Sequence, residues 1–196
     1  MCRITVVTNR HLCREDFLVR IERLAAGGVD RIILREKDLS VDEYRRLAEQ
    51  VLAVCTPYHT ECILHSFAEI DYSKIHLPLS AMRCHPRKND WKTVGVSVHS
   101  LEEACEAETW GADYLTAGHI FETDCKRGLA ARGTDFLAEV CRAVRIPVHA
   151  IGGINEETVR LLSGAGASGI CIMSSAMQAS DPERLMKRLH EQMIMW

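Results

Sequence analysis

Eight short apolar runs recur along the chain, and between them lie stretches whose apolar residues return with the 3.6-residue period of a helix. The runs fall near Ile4-Val7, Arg31-Leu34, Glu61-Leu64, Lys74-Leu77, Thr93-Ser97, Tyr114-Ala117, Val148-Ile151 and Gly169-Ile172. The helical pattern is clearest in Asp16-Ala26, Val41-Val54, Leu101-Trp110, Asp135-Val144, Glu156-Ser163 and Asp181-His190. A strand that is apolar on both sides must be covered on both faces, and an amphipathic helix is what covers it. The alternation therefore predicts a parallel sheet wrapped by helices, and eight strands is the number that closes one into a barrel.

Local signals agree with these bounds. Ser40 with Glu43 and Ser100 with Glu103 have the spacing of a helix capping box, and Pro182 suits a first helical turn. After the fourth strand, around Ser80-Asp90, there is room only for an incomplete helix. Gly28-Val29-Asp30, Gly111-Ala112-Asp113 and Gly166-Ala167-Ser168 each follow a helix and lead into a strand, as though a half-barrel motif recurs. The rival is an open doubly wound sheet, whose fingerprint is a glycine-rich turn after the first strand. Here that turn reads Thr8-Asn9-Arg10-His11, without glycine. At 196 residues and 47% hydrophobic composition, the economical reading is one α/β domain over residues 1–196, a (β/α)8 TIM barrel.

Charge narrows the partners. With 24 Lys+Arg against 27 Asp+Glu the formal charge is −3, too mild for a surface that binds nucleic acid or an anionic membrane. No apolar stretch approaches the roughly 18 residues of a membrane span, so a cytoplasmic protein with a small-molecule ligand is expected. The nine cysteines are odd in number and contain no C-x-x-C, which reads as reduced thiols. Cys55, His59, Cys62 and His65 place four soft ligands in a short stretch. Cys62 lies within a strand and Cys55 at a helix end, so they need not converge, and no metal or other cofactor is expected. The apolar C-terminus Met193-Ile194-Met195-Trp196 packs either on the barrel or on a second copy of the chain, leaving a homo-oligomer open.

In a barrel the chemistry sits where strands end. The second strand runs into Arg35-Glu36-Lys37, where a period of two puts both cations on one face, suited to a phosphate or carboxylate. A solvated charged loop reads equally well. The seventh and eighth strands end in Ile151-Gly152-Gly153 and Met173-Ser174-Ser175. Glycines there let backbone amides approach an anion, although Gly152-Gly153 would also suit a plain tight turn. The sixth strand ends in Gly118-His119 and a polar loop running through Lys126-Arg127-Gly128. An imidazole, with an ordinary pKa near ~6.5, can remove and return a proton at neutral pH, which makes His119 the candidate general base. His65, Ser66, Ser97 and His99 end the third and fifth strands around the same cavity, with Ser97 a candidate for substrate binding, whereas His76 and His149 lie within strands and read as core or barrel-lining groups.

Four stretches carry a resemblance that spans the chain: Leu34-Arg35-Glu36-Lys37-Asp38, Val94-Gly95-Val96-Ser97-Val98-His99-Ser100, Gly111-Ala112-Asp113-Tyr114 and Ala150-Ile151-Gly152-Gly153-Ile154. They resemble the thiamin phosphate synthase superfamily. Within it, Gly118 to Leu129 is similar to the TenI-type thiazole tautomerases. A synthase of that superfamily holds Mg²⁺ with an Asn-Asp pair after the third strand and an Asp after the fourth. This chain has His65-Ser66 and Pro78-Leu79-Ser80 in those places. It also has Gly118-His119 where the synthase pattern has Gly-Pro. The resemblance therefore implies a cofactor-independent isomerase that aromatises a carboxythiazole phosphate. His119 would carry the proton. Gly152, Gly153, Ser174 and Ser175 would hold the phosphate, Arg35 and Lys37 the carboxylate or developing charge, and Lys126 would ride on a loop able to close. A synthase with an altered metal site and a non-catalytic thiazole-phosphate binder are the alternatives.

Overall fold

The computed structural model describes residues 2–66, 71–84, 87–126, 128–194 and 196. Eight parallel strands close into a barrel in sequence order: β1 (Arg3–Val7), β2 (Arg31–Leu34), β3 (Glu61–His65), β4 (Lys74–Pro78), β5 (Thr93–Val98), β6 (Tyr114–Gly118), β7 (Val148–Ile151) and β8 (Gly169–Ile172). Val6 of β1 pairs with Ile32 of β2 on one side and Ile172 of β8 on the other, which completes the (β/α)8 fold. Helices α1 (Phe17–Ala26), α2 (Val41–Cys55), α3 (Leu79–Cys84), α4 (Leu101–Thr109), α5 (Gly133–Ala143), α6 (Ser174–Met177) and α7 (Pro182–Met193) cover the outside.

The caps are where the residues place them. Ser40 and Glu43 exchange side-chain and backbone bonds in both directions. At α4, Ser100 accepts from the Glu103 amide at 3.2 Å, but Glu103 accepts in turn from the amide of His99, at 2.6 Å. That shift of one residue ties a carboxylate to the end of β5. After β4 the chain makes only the six-residue α3. Residues 85 and 86 of the segment expected to be an incomplete helix lie outside the described residues.

One expectation is corrected. Glu156-Ser163 is not an α-helix; only Val159–Leu162 turns, as a 3-10 segment. Asn155 Oδ1 accepts from the amides of Glu157 and Thr158 at 2.8 and 3.0 Å, and the Thr158 hydroxyl donates to the Gly153 carbonyl at 2.9 Å. Side chains that bind their own backbone in this way compete with α-helical bonding.

The repeated tripeptides occupy equivalent places. The amides of Asp30, Asp113 and Ser168 donate to the carbonyls of Ile4, Val94 and Val148, at the start of β1, β5 and β7. Asp30 and Asp113 also accept through Oδ2 from the amides of Ile4 and Val94, both at 2.7 Å. A carboxylate thus caps the same strand edge in each half of the barrel.

Most of the apolar core lies between barrel and helices. The lumen holds a smaller apolar set, Val7, Ile33, Ile63, Tyr114 and Cys171, together with buried polar side chains. His65, His76 and His149, none more than 8% exposed, line it, as do Thr5 and Thr116. His76 and His149 are therefore barrel-lining residues. At the N-terminal end of the strands Glu61 gathers Arg31, Lys74 and Arg3 at 2.7, 3.0 and 3.8 Å. Of the C-terminal residues, Met193 is buried and Trp196 packs on the core, whereas Ile194 is 76% exposed and Met195 lies outside the described residues. No helix among the described residues is long and apolar enough to cross a membrane.

Candidate active site

β6 delivers His119 to the C-terminal mouth, where it is 7% exposed. Its Nε2 lies 3.3 Å from the carbonyl of Leu129. A carbonyl only accepts, so this bond puts the ring proton on Nε2 and leaves the lone pair on Nδ1. The loop is stitched down on both sides. The His119 and Ile120 carbonyls accept from the amides of Arg132 and Gly133, and the Ile120 and Phe121 amides donate to the carbonyls of Ile151 and Gly152, all at 2.9–3.0 Å. Beside it, His99 donates from Nδ1 to the Gly118 carbonyl at 2.8 Å. His99, His119, Lys126, Leu129, Ala130, Ala131 and Arg132 line a cavity of about 510 Å³. Ala130 to Arg132 are site residues that the sequence reading missed; their one signal was the flanking pair Gly128 and Gly133.

Gly152 and Gly153 are explained first by close approach. Both have positive φ, +103° and +67°. A Cβ on Gly152 would stand 2.3 Å from His119 Cβ, and one on Gly153 would stand 2.4 Å from the Glu122 carbonyl oxygen. Gly152→Ala is accordingly expected to cost about 1–3 kcal/mol in urea unfolding and to lower turnover by displacing His119. Gly128→Ala, also at positive φ (+81°) but with nothing within 4 Å of the added methyl, is the control that carries backbone strain without that contact.

Past the end of β2 exposure alternates, with Arg35 half-buried, Glu36 buried and Lys37 exposed, although Lys37 already stands in a turn. Glu36 is 2% exposed, accepting from the Thr8 hydroxyl at 2.7 Å and from Arg10 Nη1 at 3.0 Å. Arg35 and Lys37 take no part in those contacts, and the charges of Arg35 and Lys126 are both felt at Lys37, which groups the three cations. The Arg35 guanidinium, then burial, then the Lys126 ammonium hold the Lys37 pKa below its ordinary value. No carboxylate among the described residues forms an ion pair with any of the three. A group of cations without a carboxylate partner among the described residues, at a barrel mouth, suits an anion.

Of the sequence candidates, His119, Lys126 and His99 line this cavity; Ser66, Ser97, Ser174 and Ser175 stand at or just past the C-terminal ends of their strands without lining it. Ser174 Oγ is 3.4 Å from the Cys125 thiol, joining the β8 loop to the β6 loop, and the Ser175 hydroxyl donates to the Ile154 carbonyl at 3.1 Å. Ser97, on β5, contacts His76 and Thr116 at 2.8 and 3.1 Å. At the end of β3 Ser66 takes a left-handed φ of 67° and its hydroxyl bonds to His65 Nδ1 at 2.7 Å. Arg127 lies outside the described residues. The Cys55, His59, Cys62 and His65 side chains are not brought together: Cys55 and Cys62 pack in the outer core, His65 faces the lumen, and His59 sits in a left-handed turn. All nine cysteines are free thiols.

The family described as thiamine monophosphate synthase matches residues 4–176. The chain belongs to this thiamin biosynthesis family. Thiamine-phosphate synthase 2 of Streptococcus pneumoniae is 34% identical over 202 aligned positions, covering 96% of this chain and 95% of that protein. The thiamine-phosphate synthase of Pyrococcus abyssi is 34% identical over 200, covering 96% and 93%. The solved thiamine phosphate pyrophosphorylase of Pyrococcus furiosus superposes with a TM-score of 0.83 at 28% identity, covering 97% of this chain and 95% of that one. Thiamine monophosphate synthase family members of the synthase type imply Mg²⁺, a hard ion that takes oxygen ligands, chiefly carboxylates. The described residues at the ends of β3 and β4, His65, Ser66, Pro78, Leu79 and Ser80, contain none, and no group of three His, Cys, Asp or Glu among the described residues could hold an ion. These donors do not fit the metal.

Proposed function

We propose that this member of the family is a thiazole tautomerase acting in the cytoplasm on a carboxythiazole phosphate, with a proton shift carried by His119. The observation that carries this reading is a buried imidazole whose Nε2–H is committed to the Leu129 carbonyl, leaving Nδ1 as a base at the mouth cavity. In the step, Nδ1 takes the proton from the ring carbon. That C–H electron pair becomes a ring double bond, and the exocyclic π pair moves out to the exocyclic carbon. The imidazolium returns the proton there, so the ring becomes aromatic with no net change in charge or oxidation state. Arg35, Lys37 and Lys126 would neutralise the ligand carboxylate and the charge that develops as the proton leaves, while the amides of the Gly152-Gly153 and Ser174-Ser175 loops would hold the phosphate.

The synthase reading is favoured by the relatives, which are named thiamine-phosphate synthases. A diphosphate-expelling reaction relies on a metal to stabilise the departing charge, and the described donors at β3 and β4 do not fit one. The two readings give opposite results in one experiment. Chelator-treated protein, given the non-aromatic carboxythiazole phosphate freshly made by a thiazole synthase, is expected to accelerate aromatisation, read by ultraviolet absorbance and NMR. Thiamin phosphate formed from a pyrimidine diphosphate and a thiazole phosphate only when Mg²⁺ is restored, with no aromatisation beforehand, would instead establish the synthase. Saturable binding with neither reaction would leave a binder.

A further inference from the structure

Burying imidazole, phenol and hydroxyl groups in a barrel lumen is unfavourable unless each is bonded. Yet this lumen has room made for them. A Cβ on Gly95 would stand 2.1 Å from Tyr114 Cζ and 2.5 Å from His76 Nδ1, so the glycine is the condition for the pair. Tyr114 OH lies 2.9 Å from His76 Nδ1, His76 Nε2 lies 2.8 Å from Ser97 Oγ, and Thr116 Oγ1 lies 3.1 Å from the same Ser97 oxygen. His76, Tyr114 and Thr116 are 1–3% exposed. Ser97 is the half-buried member, and it stands near the C-terminal end of β5, so the chain of bonds opens at the mouth through its hydroxyl alone.

The polarity of that chain follows from its far end. Arg31 commits Nε and Nη2 to Glu61 Oε2 at 2.8 and 2.7 Å and lays its guanidinium carbon 4.3 Å from the centroid of the Tyr114 ring. The guanidinium offers the phenol no acceptor, and among the described residues the Tyr114 hydroxyl has His76 Nδ1 as the acceptor for its buried proton. Tyr114 therefore donates to His76 Nδ1. A neutral imidazole has one N–H, and it must then be on Nε2, donating to Ser97. Thr116 donates to the same oxygen. With two donors on its lone pairs, the Ser97 hydroxyl can only give its own proton outward. The opposite polarity would turn that proton inward, onto His76, and present the ligand with a lone pair.

We infer that Tyr114 and His76 are positioning residues that fix Ser97 as an obligate hydrogen-bond donor, selecting an acceptor atom on the ligand, such as a carboxylate or phosphate oxygen, and rejecting an amine or ammonium. This rests on the reading of Ser97 as a substrate-binding residue. The deciding measurement is a two-bond ¹H–¹⁵N correlation spectrum of the ligand-free, histidine-labelled protein, with His76 assigned by substitution. The Nε2–H tautomer is expected; the Nδ1–H tautomer would overturn the inference. In titration calorimetry with the aromatic carboxythiazole phosphate, Ser97→Ala and Tyr114→Phe are each expected to weaken binding about tenfold. The double variant should lose little more than either alone, because both remove one donated bond. Fully additive losses would also overturn it. Should the wild-type protein bind no carboxythiazole phosphate, the functional reading falls, while the tautomer still decides the relay.

Discussion

His119→Ala is expected to slow aromatisation by about 10²–10⁴-fold, the range a positioned general base contributes, while affinity for the aromatic product stays within a few-fold of wild type. The split arises because the imidazole acts on the proton in flight, whereas the cationic cluster and the β7 and β8 loops are assigned the bound anions. Removing the ring leaves those elements in place: the loop is held to its neighbours by the amides and carbonyls of residues 119–121, Arg132, Gly133, Ile151 and Gly152, none of which needs the His119 side chain. Ultraviolet progress curves give the rate, and calorimetry with the product gives the affinity. A variant retaining more than a tenth of wild-type turnover would remove His119 from its role. The base would then be sought at His99, whose Nδ1–H is committed to the Gly118 carbonyl and whose Nε2 is therefore the basic nitrogen in the same cavity.

The barrel was legible in the sequence because its signals are local and repeated. Each β-run is bounded within a few residues, the helical period needs only a dozen, and the Asp30 and Asp113 echoes recur because the same strand edge must be capped twice. The alternation of exposure at Arg35-Glu36-Lys37 was legible from a spacing of two, although Lys37 stands in a turn and not in an extended segment. The helix expected over residues 156–163 failed because Asn155 and Thr158 bind the backbone themselves, a competition that apolar periodicity does not register. Gly152-Gly153 read as an anion cradle from their own spacing; that Gly152 also lies against His119, and Gly153 against Phe121 and Glu122, on the loop of a strand about thirty residues earlier, is a contact no local pattern shows. The Tyr114–His76–Ser97 chain lies on three adjacent strands, and its meaning depends on side chains meeting in the lumen, information carried by closure of the barrel and by no stretch of sequence alone.

That same lumen makes the fold sensitive to acid. Burial, then the charges of Arg35 and Lys37, depress the His65 pKa to about 3. Burial, then Arg31 and Arg3, depress that of His149 to about 3. Burial, His65, Arg31 and His149 push His76 well below its ordinary value as well. In the unfolded chain each titrates near ~6.5. Between that value and the folded one the unfolded state binds more protons, so stability falls as pH falls. The loss begins near pH 6.5 and approaches about 1.4 kcal/mol per pH unit for each histidine. Carboxylates held low by cationic partners, such as Glu61 beside Arg31 and Lys74, protonate only further down. The histidines therefore dominate between about pH 6.5 and 5, and their combined effect is comparable to the about 5–15 kcal/mol that holds a domain of this kind together. Urea unfolding is expected to show a nearly flat midpoint from pH 8 to 7 and a steep decline from pH 6.5 to 5. His149→Gln removes one ionisation and keeps a group that can bond Thr5, whose hydroxyl is 3.4 Å from His149 Nδ1, and it should make that decline shallower. A midpoint that is unchanged between pH 7 and 5 would mean that the lumen accepts protonated imidazoles, a result that would require water or an anion to reach them.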